Sequence, residues 1–206
     1  MSIVTLGSQA AQHVGRLYTV PGRGSAELNP APLLLAIAFA ADKHRRQRRK
    51  DADASPYINH PVAVATVLAV EGEIADEPSL LCAILHDTVE DTDTTFLDLE
   101  QHFGREVADL VRELTDDKSL EKAERKRLQI EHAKASSLRA KQVKIADKIC
   151  NVRDITVSPP VNWPVQRRLE YLTWSEKVVD GCRGVNVKLD RAFDEAIAQA
   201  RASIVP

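Results

Sequence analysis

Apolar side chains recur along most of this chain at the three- and four-residue intervals of an amphipathic α-helix, and the strict alternation of a β-strand is nearly absent. Proline, glycine and helix-capping residues divide this pattern into separate segments. We therefore predict an all-α protein in which about nine to ten helices pack into a bundle. The predicted helices span residues 33–47, 61–70, 80–92, 96–103, 105–114, 120–135, 137–155, 165–181 and 187–204.

Capping signals mark where several of these helices begin. Asn29 precedes a proline, which is a typical helix start. Ser79 is the expected cap of the third helix. Thr95, with Asp98 three positions later, resembles a capping box for the fourth helix.

Length and charge limit the architecture and the partners. The chain has 206 residues, of which 44% are hydrophobic and 28% charged, enough for a globular domain with a real core. Residues 1–28 have a mixed pattern and are expected to form an extension, so that residues 29–206 make one domain. The net charge of −2 provides no general attraction to nucleic acid or to a membrane, and neither is an expected partner.

The three cysteines lie far apart and form no CxxC pair. Cys82 and Cys150 stand in apolar helical patterns, which is typical of small core residues in a reduced protein. No apolar run approaches the 18 residues of a membrane span, and the N-terminus lacks a secretory signal. The expected localisation is therefore cytoplasmic.

The third predicted helix combines a buried apolar pattern with a dense group of ionisable side chains. If the helix is continuous, His86 lies one turn from Glu90, and Asp87 lies one turn from Asp91. Ionisable groups on a buried helix are costly unless they are paired or bound to a metal. The alternative interpretation is a helix end with solvated acids.

A second polar row lies on one face of the helix predicted at 137–155. Its members are Lys144, Asp147, Asn151 and Asp154. A carboxylate flanked by a lysine and an amide would suit a metal and phosphate site, although an ordinary solvated face has the same spacing. His60, which stands before a proline, is a third candidate, and a simple cap or turn residue is the alternative.

Convergence of the two rows would create a mixed nitrogen and oxygen site for a metal. The candidate ligands are His60, His86, Asp87 and Asp147. Such a set suits Mn²⁺, Fe²⁺ or Zn²⁺, and the lack of cysteine ligands argues against structural zinc. A metal of this kind polarises phosphoryl oxygens, and Glu90 or Asp91 could orient a water molecule or accept its proton.

A basic run ends the first predicted helix. Six of the eight residues at 43–50 are Lys or Arg, and Arg49 and Lys50 could bind phosphate oxygens. The alternative is a solvated helix end. His44 lies in this run and is left out of the metal site because cationic neighbours disfavour a bound cation.

Four motifs in order resemble those of a known family. They are QRRKD at 47–51, PYINHP at 56–61, LHDTVEDT at 85–92 and ADKICNVRD at 146–154. Together they resemble the HD-domain phosphohydrolases and, more narrowly, the hydrolase domain of the RelA/SpoT family, most closely its small stand-alone members. The resemblance covers roughly residues 33–200.

This resemblance implies an HD-domain helical bundle with one bound metal, usually Mn²⁺, with Zn²⁺ or Fe²⁺ as alternatives. The implied metal ligands are His60, His86, Asp87 and Asp147, and the implied catalytic acidic pair is Glu90 and Asp91. The substrate contacts it implies are Arg49, Lys50, Lys122, Asn151, Arg167 and Tyr171.

The implied activity is hydrolysis of the 3′-diphosphate of ppGpp and pppGpp, giving GDP or GTP and pyrophosphate and so lowering alarmone levels. One alternative is the same chemistry on NADPH or another nucleotide. A second alternative is a catalytically silent module that binds alarmones. These hypotheses share a small nucleotide as the partner, and they leave the oligomeric state open.

Overall fold

The computed structural model describes residues 29–204, and within them it contains helices, turns, loops and one isolated antiparallel bridge between Arg48 and Pro56, with no strand. The prediction of an all-α fold is confirmed. The predicted extension at 1–28 lies outside the described residues, so the domain boundary at 29 stays a prediction. The α-helices are α1 (Ala31–Lys43), α2 (Asn59–Thr66), α3 (Glu77–Leu85), α4 (Thr88–Asp91), α5 (Phe96–Phe103), α6 (Arg105–Leu114), α7 (Lys122–Ala133), α8 (Leu138–Val157), α9 (Val165–Asp180) and α10 (Val187–Ile204), and a π-helical turn (Val67–Glu71) follows α2.

Helix α3 lies in the middle of the bundle. Residues 79–85 are all buried, and the helix packs against α1, α2, α6 and α8. A helix that is apolar on every side can be stable only when neighbours surround it. Full burial of one leucine contributes about 1.5–3 kcal/mol, so α3 anchors the elements that carry the site. Among the described helices, none has the length and apolarity that crossing a membrane would require.

The caps of α3 and α5 differ in how well the sequence predicted them. The expected cap at Ser79 is wrong, because Asp76 caps α3 and accepts hydrogen bonds from the Ser79 backbone N–H at 3.0 Å and hydroxyl at 2.6 Å. The capping box of α5 is confirmed. The backbone N–H of Thr95 donates to the carboxylate of Asp98 at 2.8 Å, and the backbone N–H of Asp98 donates to the hydroxyl oxygen of Thr95 at 3.1 Å.

Helix α1 ends at Lys43, four residues before its predicted end at residue 47. After it, the chain folds back on itself, and the backbone N–H of Tyr57 donates to the carbonyl of Gln47 at 3.2 Å. A second backbone bond joins the N–H of Arg49 to the carbonyl of Ser55 at 2.8 Å. These bonds use backbone groups that a longer helix would need, and they bring the basic run beside the start of α2.

The predicted helix at 80–92 is interrupted at His86 and Asp87, which separate α3 from α4. The His86 imidazole lies 2.8 Å from the carbonyl of Ala83, and the Thr88 hydroxyl donates to the carbonyl of Leu85 at 2.6 Å. Side chains that bind backbone carbonyls in this way compete with helical hydrogen bonds. The break turns both ionisable side chains toward α2 and α8.

Candidate metal and phosphohydrolase site

Three elements bring the predicted metal ligands together. His60 lies in the first turn of α2, His86 and Asp87 form the break between α3 and α4, and Asp147 lies in the middle of α8. The Nε2 atom of His60 is 3.0 Å from Oδ1 of Asp147, and the Nε2 atom of His86 is 4.0 Å from the same oxygen. Donor atoms of these two histidines and Asp147 all lie within 4.8 Å of one another.

Asp87 completes the cluster from the other side. Its Oδ2 atom lies 3.1 Å from Nε2 of His86 and 3.9 Å from Nε2 of His60. The structure therefore brings together all four side chains that the sequence nominated as ligands.

The hydrogen bonds of the two imidazoles fit a metal site. A carbonyl can only accept, so the Nδ1 atom of His86 carries the proton that it donates to Ala83, which leaves Nε2 as the atom that a metal could bind. Nε2 of His86 and Nδ1 of His60 are buried and have no hydrogen-bond partner within residues 29–204. Two buried imidazoles beside two carboxylates form a donor set suited to Mn²⁺, Fe²⁺ or Zn²⁺.

Electrostatics keep the carboxylates of this cluster ionised. Burial raises the pKa of Asp147, but Lys148, His60 and His86 outweigh it and hold that pKa well below the usual range. Burial likewise opposes ionisation of Asp87, and the two histidines reverse it to give a lowered pKa. Ionised carboxylates are the form that binds a metal.

The same two carboxylates change the pKa of His86. Burial lowers the pKa of His86, yet the charges of Asp87 and Asp147 raise it overall to about 9. A cation at this position would take the place of that proton, because a ligating imidazole must be neutral.

The acidic pair, Glu90 and Asp91, lies on α4 directly after the break. Burial, followed by the charges of Asp87 and Asp116, raises the pKa of Glu90 to about 7. A backbone N–H from Asp116 donates to Glu90 at 3.3 Å. The ammonium of Lys118 forms an ion pair with Asp91 and lies 3.9 Å from Glu90. One member of the pair is thus able to exchange a proton near neutral pH.

Two further residues support the ligands, and sequence reasoning gave neither a role. The hydroxyl of Tyr57 donates to Oδ2 of Asp87 at 2.6 Å, and the ammonium of Lys148 donates to Oδ2 of Asp147 at 2.8 Å. Each stands within three positions of a nominated ligand in the sequence. That proximity is the signal that could have indicated them.

The predicted substrate contacts line three cavities that share walls. The first, of about 170 Å³, holds all four nominated ligands and is bounded by Arg49 and Asn151. The second, of about 340 Å³, shares these two residues and adds Lys50 and Tyr171. The third, of about 580 Å³, is a basic groove lined among others by Lys50, Lys122, Lys126, Trp163, Arg167 and Tyr171.

Arg49 is held between the first two cavities. Its guanidinium donates to Asp154 at 2.5 Å and to Asn151 at 3.2 Å, both on α8. The polar face predicted for this helix thus meets the basic run. This arrangement places fixed positive charge at the edge of the metal cluster.

Fold and site together define an HD-domain protein. A family model described as an HD domain matches residues 36–172, a range that includes every nominated metal ligand and both acidic residues. The HD domain is that of metal-dependent phosphohydrolases, and His60, His86 and Asp147 form a group that could hold the metal.

Relatives and solved structures narrow the class. The chain is 53% identical to the guanosine-3′,5′-bis(diphosphate) 3′-pyrophosphohydrolase MESH1 of Drosophila melanogaster, over 82% of this chain and 94% of the relative. It is 51% identical to the Homo sapiens MESH1, over 84% and 97% of the two chains. A structure described as a metazoan ortholog of SpoT that hydrolyzes ppGpp superposes with a TM-score of 0.81 at 52% identity, covering 84% of this chain and 98% of that one. This chain therefore belongs to the MESH1 family of HD-domain hydrolases.

Proposed function

We propose that this protein is a metal-dependent 3′-pyrophosphohydrolase of ppGpp and pppGpp. The reaction consumes one water, cleaves the link between the ribose 3′ oxygen and the diphosphate, and releases pyrophosphate with GDP or GTP. The observation that carries the proposal is the cluster of two buried histidines and two partly buried aspartates beside an acidic pair, within cavities that lead to a basic groove. The MESH1 relatives carry the same activity in their names.

The metal would be held by His60, His86, Asp87 and Asp147. Mn²⁺ is the proposed ion, and Zn²⁺ or Fe²⁺ would satisfy the same donors. When bound, a divalent cation supplies Lewis acidity that polarises a phosphoryl oxygen and makes water a better nucleophile.

The acidic pair would handle the proton of the attacking water. Glu90, with a pKa near 7, is poised to accept that proton at neutral pH. Asp91 accepts a hydrogen bond from Gln47 at 2.8 Å, pairs with Lys118 and would orient the water. Arg49 and Lys50 would offset negative charge that develops on the departing diphosphate.

The basic groove would receive the rest of the nucleotide. Burial, followed by the charges of Arg167 and Lys50, lowers the pKa of Lys122, so positive charge is crowded here and a bound phosphate would relieve it. Tyr171 stays protonated because burial raises its pKa to about 12. Its ring packs beside Trp163 and Trp174, lines both the second cavity and the groove, and would contact the base or the ribose. Asn151, between the two regions, would contact the ribose or a phosphate.

The cytoplasm is the proposed site of action. All three cysteines are free and buried, as expected in a reducing compartment.

The test is turnover of ppGpp and, separately, of NADPH by the purified protein with Mn²⁺. We expect pyrophosphate release from ppGpp to fall at least about a hundredfold in Asp147→Asn and in Glu90→Gln. The first substitution removes a proposed metal ligand, and the second removes the group that would accept the proton of the attacking water. The matched control is Asp194→Asn. Asp194 is an exposed acid on α10 that pairs with Arg183, and this variant should keep full activity.

Turnover of NADPH with none of ppGpp would retain the metal chemistry and reject the substrate. Binding of ppGpp without any turnover would instead indicate the silent module.

A further inference from the structure

A chain of hydrogen bonds leads from the end of α1 to the acidic pair. The Nδ1 atom of His44 lies 2.6 Å from Oε1 of Gln47, and Nε2 of Gln47 donates to Oδ2 of Asp91 at 2.8 Å. These residues are separated by up to 47 positions but meet because α1 ends early and the chain turns back toward α4. Sequence reasoning gave Gln47 no role and set His44 aside as part of a cationic run.

The chemistry of the groups fixes the direction of every bond in this chain. An ionised carboxylate can only accept, so the amide of Gln47 must turn its N–H toward Asp91. Its carbonyl oxygen then faces His44, and an oxygen acceptor requires a proton on Nδ1 of that ring. The amide is therefore held at both ends and has one favourable orientation.

His44 is itself firmly held. Only 2% of its surface is exposed, and its ring packs 4.9 Å from the ring of Tyr57, centroid to centroid. Tyr57 in turn donates to Asp87, one of the nominated metal ligands. The same buried imidazole thus supports one group on each side of the reaction centre.

The other oxygen of Asp91 has a different partner. Oδ1 pairs with Lys118, whose side chain is 47% exposed and lies in the turn between α6 and α7. An exposed lysine is a flexible point charge, whereas a half-buried amide with a fixed orientation sets a direction. The rigid contact of Asp91 is therefore the one that it makes with Gln47.

We propose that Gln47, oriented by His44, is a positioning residue that fixes the Asp91 carboxylate for the hydrolytic step. This inference rests on the role of Asp91 in the proposed function. Gln47 makes no hydrogen bond to a nominated metal ligand and lies outside the basic groove. It lines the second cavity, but both ends of its amide are already bonded to His44 and Asp91. Its removal should therefore affect the rate of the chemical step more than the binding of substrate or metal.

The experiment compares Gln47→Leu with the unmodified protein in steady-state hydrolysis of ppGpp. We expect kcat to fall about tenfold to a hundredfold, the loss associated with one hydrogen bond to a charged group. KM should change less than about threefold, and Mn²⁺ affinity measured by calorimetry should be unchanged. The control is Arg45→Gln, which removes an exposed ion pair with Asp42 in the same segment and should leave kcat intact.

Gln47→Glu supplies a readout that a purely structural role would not produce. At high pH the introduced carboxylate repels Asp91, and at lower pH it gains a proton and can donate in place of the amide. The side chain at position 47 contacts His44 and Asp91 directly. The other titratable and charged groups that line the same cavities are Asp42, Lys43, Arg45, Arg46, Arg48, Arg49, Lys50, Tyr57, Asp93, Asp154 and Tyr171. The activity of this variant relative to the unmodified protein should therefore be low at pH 8, where the carboxylate cannot donate to Asp91, and should rise as the pH falls toward the pKa of that carboxylate.

His44→Phe provides a second measurement, because it keeps the ring packing and removes the bond to the amide. It should reproduce part of the kcat loss while circular dichroism shows native helix content.

Unchanged kcat in folded Gln47→Leu, or a folded Gln47→Glu that matches the unmodified protein at pH 8, would overturn the inference. An unmodified protein that does not hydrolyse ppGpp would instead overturn the proposed function, so the two failures are distinct.

Discussion

Glu90 shows how a single side chain obtains its chemistry from its surroundings. It is half-buried on a short helix, it faces the charges of Asp87 and Asp116, and these surroundings raise its pKa to about 7. Its neighbour Asp91, one position on, instead pairs with Lys118 and Gln47. The two adjacent acids therefore suit different roles: Glu90 can exchange a proton, and Asp91 would orient the attacking water.

The pH dependence of turnover should follow from this difference. A raised pKa means that Glu90 is protonated below about pH 7 and becomes a base as the pH rises through that value. We expect kcat for ppGpp to increase as the pH rises from 5 to 8 when Mn²⁺ is saturating. The midpoint should lie at or below 7, because a cation bound to Asp87 would offset one of the charges that raise the pKa of Glu90. A kcat that is flat across this range would show that Glu90 does not accept the proton.

At the residue scale, the sequence indicated site residues best where ionisable side chains stand in buried, apolar helices. His60, His86, Asp87 and Asp147 could be nominated because ionisable groups in apolar helices need partners. Tyr57, Lys148 and Gln47 were missed as parts of the site, since their roles depend on which atoms they touch. His44 was left out of the metal site because its neighbours in the chain are cationic, and its contacts in space, an amide and an aromatic ring, could not be read from the sequence.

At the element scale, the site depends on helices that end at defined places. The break between α3 and α4 turns His86 and Asp87 inward, and the π-helical turn after α2 carries Glu71 to α8. There Arg153 donates to both oxygens of Glu71, at 2.5 and 2.8 Å, with both side chains mostly buried. This bidentate pair joins the element that follows His60 to the helix that presents Asp147.

Removal of Glu71 should weaken the fold more than the chemistry. In Glu71→Ala the guanidinium loses its charged partner, and we expect the free energy of unfolding to fall by about 1–3 kcal/mol. Urea denaturation followed by circular dichroism measures the change. Glu73→Ala is the matched control, because that glutamate makes an exposed pair with Lys188 and should cost at most about 1 kcal/mol. Equal effects of the two substitutions would contradict a supporting role for the buried pair.

Element positions could be predicted better than element ends. The apolar periodicity located the helices from 96 to 114 and from 137 to 204 closely, because one apolar face continues through each of them. It failed at residue 44 and at residue 86. After residue 44, backbone groups bond to a later segment of the chain instead of continuing the helix. At residue 86, a side chain bonds to a backbone carbonyl of the preceding turn. The periodicity of apolar residues contains no information about either kind of hydrogen bond.

At the scale of the whole molecule, the site is assembled across the chain. His60 and Asp147 are 87 positions apart and yet 3.0 Å from each other, and the cavities extend from them to Tyr171 on α9. The fold class followed from helical periodicity, and the site residues were proposed through four motifs in order. The continuity of the cavities with the basic groove required the packing of α7, α8 and α9, which only the structure gives.

One measurement tests the proposed activity most directly: phosphorus NMR of the products formed when the protein and Mn²⁺ are given ppGpp and NADPH together. We predict GDP and pyrophosphate in equal amounts as the main products, and none of either when a chelator replaces the metal. Inorganic phosphate from NADPH with ppGpp left intact would contradict the proposed activity.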